Sequence, residues 1–347
     1  PLPWPRRLFN TLKLLKYCLS APKVVEKFGE ELHRFTLDQQ ADSTTMWREI
    51  ESKAWFFDHC MAVHIQSSAL SGFLCAIVEN MVSGKSNDSS VEEQSEAVRL
   101  LAGASDVESA VMLEQLDALL DRIARHPQAE QRFQSVGVEE AVDWLESTEP
   151  LATEFQAFVA SHGHRGYREL CMRDPSWRDD PTPLIQSMQA AVHARLLTGG
   201  HRELHPEQIE WESLSRGLRW ILPKAHNAIR RREHTKSQLV DLAHRFKIAF
   251  RTLGQRMVAE GLLPEADLVC LFTTGELEEF FAHPSTSVVE RLQSRREALA
   301  YQQQFEFPEI SVGLPEPLEP QPVELADGVL QGRPASRGIV EGIVRVA

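Results

Sequence analysis

The stretch that most limits what this chain can become is "PKAHNAIRRREHTKSQLVDLAHRFKIAFRTLGQRMVAE", Pro223 to Glu260. Leu239, Leu242, Phe246, Phe250, Leu253 and Met257 recur at steps of three and four, which lines one face of an α-helix. Gly261 and Pro264 stop the pattern, and a proline in a first turn suits a start near Pro223. The same periodicity governs most of the sequence. Leu113, Leu116, Leu120 and Ile123 mark a helix over roughly 106–126, with Ser105 and Glu108 in capping-box spacing ahead of it. Ser90 and Glu93 repeat that signal before "QSEAVRLLAG", after a polar loop over 83–90. A further helix is expected over roughly 285–304. Strand-like alternation is nearly absent before residue 305, so the fold class is mainly α.

Beyond residue 305 the composition changes. "FPEISVGLPEPLEPQPVEL" holds five prolines in nineteen residues and reads as an extended linker. After it, "LQGRPASRGIVEGIVRVA" alternates β-formers with glycines, as a hairpin opening a second domain would. The expected organisation is a helical domain over 1–311, a proline-rich linker over 312–330, and a truncated β-hairpin over 331–347. The first residue is a proline and no Met precedes it. The basic, amphipathic opening is therefore expected to be the interior of a longer protein and not a targeting signal.

Hydrophobic residues make up 42% and charged residues 25%, an ordinary globular balance. The net charge of −13 excludes a broad phosphate-binding surface, so no nucleic-acid partner is expected. Apolar runs such as "SSALSGFLCAIV" fall short of the roughly 18 residues that span a bilayer, so no membrane partner is expected either. Five widely spaced cysteines without a C-x-x-C pair point to reduced thiols and a cytoplasmic setting.

Chemistry concentrates in "SHGHRGYRELCMRDPSWRDDPTPLIQSM", Ser161 to Met188. His162 and His164 could bind a metal as a His-x-His pair, but no third ligand stands at a convincing spacing, and no metal is expected. Arg165 offers a planar fork for a phosphate or carboxylate. His164, with a side chain that titrates near neutrality, could serve as a general base. A structural reading stands beside these, in which both residues satisfy buried carbonyls around a tight glycine turn. Glu169 is the natural ion-pair partner of Arg165 under either. Trp177 reads as packing, and Asp180 with Pro181 or Pro183 as the entry to a helix.

Two cations stand out on the long helix. Arg232 and Lys236 continue the apolar stripe backwards from Leu239, which puts them on the core face at one end of it. There they would meet a phosphate, or form buried salt bridges, or snorkel to the edge. His64 reads as a satisfied core histidine, and His226, His234 and His244 as surface residues. No phosphate-cradling glycine loop is present.

These motifs, taken in order, resemble the rifampicin phosphotransferase and phosphoenolpyruvate-synthase-like family of PEP-utilising enzymes. The likeness rests on Gly163-His164-Arg165-Gly166, Glu169, then Trp177, Arg178, Asp180 and Pro181. It also rests on "DVESAVMLEQLDALL", on "RRREHTKSQLVDLAHRFKIAFRTLGQRMVAEGLLPEADLVCLFTTGELEEF", and on "GRPASRGIVEGIVRV". It spans roughly Gly103 to Ala347. The resemblance implies a helical domain that binds a phosphoryl acceptor and presents it to a mobile phosphohistidine domain. An ATP-grasp domain using ATP and Mg2+ would precede Pro1, and the phosphorylated histidine would follow Ala347, leaving no cofactor within this chain. The acceptor it implies is pyruvate or a hydroxyl-bearing small molecule, with the domain order nearer the rifampicin-inactivating group. Arg165, Arg232, Lys236 and Glu169 would then bind substrate or phosphate, and His164 would be the base. The rival reading is a helical interaction module that keeps the fold without the chemistry.

Overall fold

A computed structural model describes residues 4–38, 40–83, 91–103, 107–198 and 209–318. Among these the regular structure is helical, with no strand, as the periodicity requires. The expected hairpin over 331–347, the linker beyond 318, the loop over 84–90 and the capping residues Ser90 and Ser105 lie outside the described residues. The chain divides into two compact units, Pro1–Cys270 and Leu271–Ala347.

The first unit is built on its longest helix. It holds α1 (Trp4–His33), α2 (Ser43–Lys53), α3 (Trp55–Val82), α4 (Val91–Ala102) and α5 (Glu108–Arg125). A π-turn (Glu130–Gln134), α6 (Val138–Ser147), α7 (Leu151–His162), α8 (Thr182–Thr198) and α9 (Arg216–Ala259) follow. Ser215 caps α9 by accepting the Leu218 N–H, so the helix starts seven residues before Pro223, which lies inside it. The reason is burial. Leu218, Ile221, Leu222 and Ala225 pack against Val78 of α3 and Leu100 of α4, which offsets the hydrogen bond that proline cannot donate. At the other end Gly261 takes φ +73°, as a terminating glycine should. The Glu260 carboxylate accepts the Ser43 N–H at 3.0 Å, tying the end of α9 to the start of α2.

α3 lies along α9, and α1, α2, α4 and α5 pack on the same pair. Phe246 of α9 meets Phe35 and Phe57, and Phe28 and Phe35 stack on Phe56. A separate apolar core joins α5, the π-turn, α6, α7 and α8 around Phe133, Trp144, Leu145, Ile185 and Met188. α5 starts at Glu108 with Val107 at its N-cap, so Glu108 is the first helical residue and not the third of a capping box. By length and composition α3, taken with α2, is apolar enough to cross a bilayer. The short runs read one at a time miss this because Gln66, Ser67 and Ser71 interrupt them; here all three are buried.

The second unit carries α10 (Thr274–Ala282) and α11 (Thr286–Gln302). Thr273 and Glu276 form a capping box at the start of α10. The Glu276 carboxylate also receives both terminal nitrogens of Arg295 on α11, at 2.5 and 2.8 Å. Leu277, Phe280 and Leu292 are buried. Residues 312–318 are exposed and without regular structure.

Candidate functional site

The segment between α7 and α8 is a loop with a narrow neck. The Trp177 N–H donates to the Arg165 carbonyl and the Arg178 N–H to the Gly163 carbonyl, both at 2.8 Å, so the two arms clasp antiparallel. The glycines allow this closeness: a Cβ on Gly166 would stand 2.9 Å from the Pro175 carbonyl, and one on Gly163 would stand 2.4 Å from that of Val159. The second arm is structural. Trp177 packs on the second core beside Phe158, Arg178 donates to the Ala160 carbonyl at 2.9 Å, and Asp180 accepts the Thr182 N–H as α8 begins. Between the arms, residues 167–174 form a lobe entered through Arg168 at φ +50°, a conformation costly for a residue with a side chain.

The neck turns its two histidines apart. His162 binds the Gln115 side chain of α5 at 2.9 Å. His164 instead lies among the charges of Asp241, Arg165 and His244, and its buried Nε2 has no hydrogen-bond partner. Burial first, and the Arg165 and His244 charges after it, push the His164 imidazole down to about 4 against the pull of Asp241. The expectation that it titrates near neutrality is thereby overturned. It is a neutral ring at physiological pH and a weak base. Arg165 is 7% exposed and makes the expected ion pair with Glu169, Nη1 to Oε1, at 3.3 Å; its Nε is unpartnered.

Arg232 and Lys236 are not on the buried line. At about 100° per residue, Thr235 continues the stripe back from Leu239, and it is fully buried, while Lys236 is exposed. Arg232 is 41% exposed and pairs with Glu233 at 2.8 Å. Around them stand His64, whose Nδ1 lies 3.1 Å from the Thr235 hydroxyl, and Cys75 of α3. The start of α5 joins this group to the loop: Ser109 reaches Glu233, while Glu108 binds His234 at 3.0 Å and lies within the field of Arg165.

Two residues read as surface are interior. His226 is 5% exposed and bonds the Leu100 carbonyl at 2.8 Å, and His244 is 2% exposed with neither ring nitrogen hydrogen-bonded. Lys247 was not singled out by the sequence at all, yet it is 1% exposed and its Nζ has no hydrogen-bond partner. Burial lowers its ammonium pKa, against the charges of Cys171, Asp174, Asp179 and Glu169. A signal was available: Gln238, Asp241, His244, Lys247 and Arg251 follow each other at steps of three and four beside the apolar stripe, a polar line no surface helix needs.

The loop between α7 and α8 thus lies over the polar line of α9, joined to it by the Arg251–Asp179 ion pair at 2.9 Å. Residues 61–233 match the family model of the rifampicin phosphotransferase fourth domain. The chain is also 26% identical to the prodigiosin synthesizing transferase PigC of Serratia marcescens, over 344 aligned residues. That alignment covers 88% of this chain and 37% of the relative's length. The family match takes in the whole loop and Arg232; Lys236, His244 and Lys247 lie beyond it.

Proposed function

We propose that this chain is the acceptor-binding part of an ATP-dependent phosphotransferase that works through a phosphohistidine relay. ATP and Mg2+ would act in an ATP-grasp domain of the same polypeptide, and a mobile phosphohistidine domain would carry the phosphoryl group to an acceptor held here. The acceptor is pyruvate or a hydroxyl-bearing small molecule. The observation that carries this reading is the juxtaposition, through Glu108 and Ser109, of the Arg165 loop with the Arg232–Lys236 turn of α9. Phosphoryl transfer depends on positioning and on neutralising charge spread over the moving oxygens. The exposure of Lys236 and the half-exposure of Arg232 suit them to a group delivered from outside the domain. Arg165, fixed by Glu169, would orient the acceptor. His164, neutral in its buried setting, would accept a hydrogen bond from the acceptor hydroxyl, and its role as base requires the pKa to rise when the phosphate's charge arrives.

The test is made in the full-length protein. Arg232→Ala and Lys236→Ala should lower acceptor phosphorylation by at least 100-fold while ATP-dependent histidine phosphorylation persists. Loss of both steps together, or of neither, would refute the assignment. A protein whose histidine is never phosphorylated by ATP would instead favour the interaction module.

A further inference from the structure

Around the loop and α9, four carboxylates stand beside arginines. Glu169 takes Arg165 at 3.3 Å, Asp174 takes Arg168 at 3.9 Å, Asp179 takes Arg251 at 2.9 Å, and Asp241 takes Arg245 at 2.6 Å. Lys247 is a buried cation beside them. It is 1% exposed, its Nζ is unpartnered, and among the described residues no carboxylate stands within ion-pair reach of it. One turn back, His244 stands 3.8 Å from Asp179, too far for a hydrogen bond. His164 and Arg165 add two further orphaned nitrogens. Burial holds both imidazoles below their usual range, so they are neutral and each can donate one hydrogen bond. An isolated ammonium at this depth costs several kcal/mol unless something compensates it.

We propose that Lys247, with His244, His164 and the Arg165 Nε, forms a buried oxyanion-binding site between the 167–174 lobe and α9. Its ligand is the anionic group of a small molecule, a carboxylate or a phosphate. An oxyanion suits the cluster because each of its unpartnered nitrogens is a donor or can become one, and an acceptor group there would also meet the buried ammonium of Lys247. Asp179 and Asp241 are held by arginines at hydrogen-bonding distance, whereas the Asp174 carboxylate, 3.9 Å from Arg168, keeps an unpartnered Oδ2 and opposes the ligand. The Gly163–Arg178 and Arg165–Trp177 clasp fixes the neck of the loop. An oxyanion can bind here whether or not the domain takes part in phosphoryl transfer, so binding is read without turnover.

The experiment is thermal denaturation of the full protein with inorganic phosphate, with acetate, and with chloride at matched ionic strength. Phosphate or acetate should raise the midpoint above the chloride control, and whichever does so names the group. Lys247→Met should abolish that rise, and Lys247→Arg should restore part of it. Should the Met variant fail to fold, crystals of the wild-type protein grown in phosphate or acetate should hold the anion within hydrogen-bond reach of the Lys247 Nζ. An equal rise in the Met variant, no rise beyond chloride in wild type, or empty density at Nζ would each overturn the site.

Discussion

At the scale of single residues, environment overrides residue type. His164 and His244 have the same side chain as His234, but the first two are driven neutral by burial, while His234 is raised by its bond to Glu108. A histidine with a depressed folded pKa leaves the unfolded state binding more protons between the two values, so stability falls as pH drops. For His164 the window runs from about 6.5 down to about 4. Denaturant midpoints measured across that range should decline, and His164→Gln should flatten the decline. In NMR, the His164 ring should show no titration between pH 8 and pH 5. The sequence did name His164, Arg165 and Glu169, because glycines on either side of a His-Arg pair signal a close backbone approach. Lys247 belongs to no motif: a lysine after Phe246 on a long helix is ordinary, its trace in the sequence is the polar line from Gln238 to Arg251, and its neighbours in space make it costly.

At the scale of elements, periodicity located the helices and erred at their ends. The helix over 285–304 is present as α11, and the one over 106–126 as α5. The start of α9 was misplaced because a proline suits a first turn and is disfavoured inside a helix, and that preference of about 3 kcal/mol yields when the preceding turns bury Leu218, Ile221 and Leu222. Between α10 and α11 the decisive link is ionic. Arg295 first, with the Thr273 backbone and hydroxyl, holds the Glu276 carboxyl down to about 2. A depressed carboxylate contributes stability above its unfolded value and loses it as pH falls through the folded one. The α10–α11 pairing should therefore weaken from about pH 4.5 toward pH 2. Arg295→Met should remove that acid sensitivity, read as hydrogen-exchange protection of the α10 amides. The group is exposed, so the effect should shrink in high salt.

At the scale of the molecule, α9 serves two regions at once: its first half closes a core with α3 and α4, and its second half supports the loop. Leu242 has no exposed surface and lies between Asp241 and His244 in sequence, so it packs the core behind the polar line. Leu242→Ala should cost about 2–5 kcal/mol in urea unfolding. The accompanying loss of loop protection should exceed that seen for an equivalent truncation of Met188, in the α5–α8 core. The mainly α class, the long helix, the structural role of "WRDDP" and the family resemblance were all determined by the sequence alone. They depend on short-range periodicity and on motif order, which a linear string records in full. Which cations face solvent, which histidines are interior and which charge has no partner were decided only by tertiary structure. Those properties depend on what α3, α5 and the loop bring against α9 from 72 to 171 residues away in the sequence, and a fraction of a turn on a helix separates a buried Thr235 from an exposed Lys236.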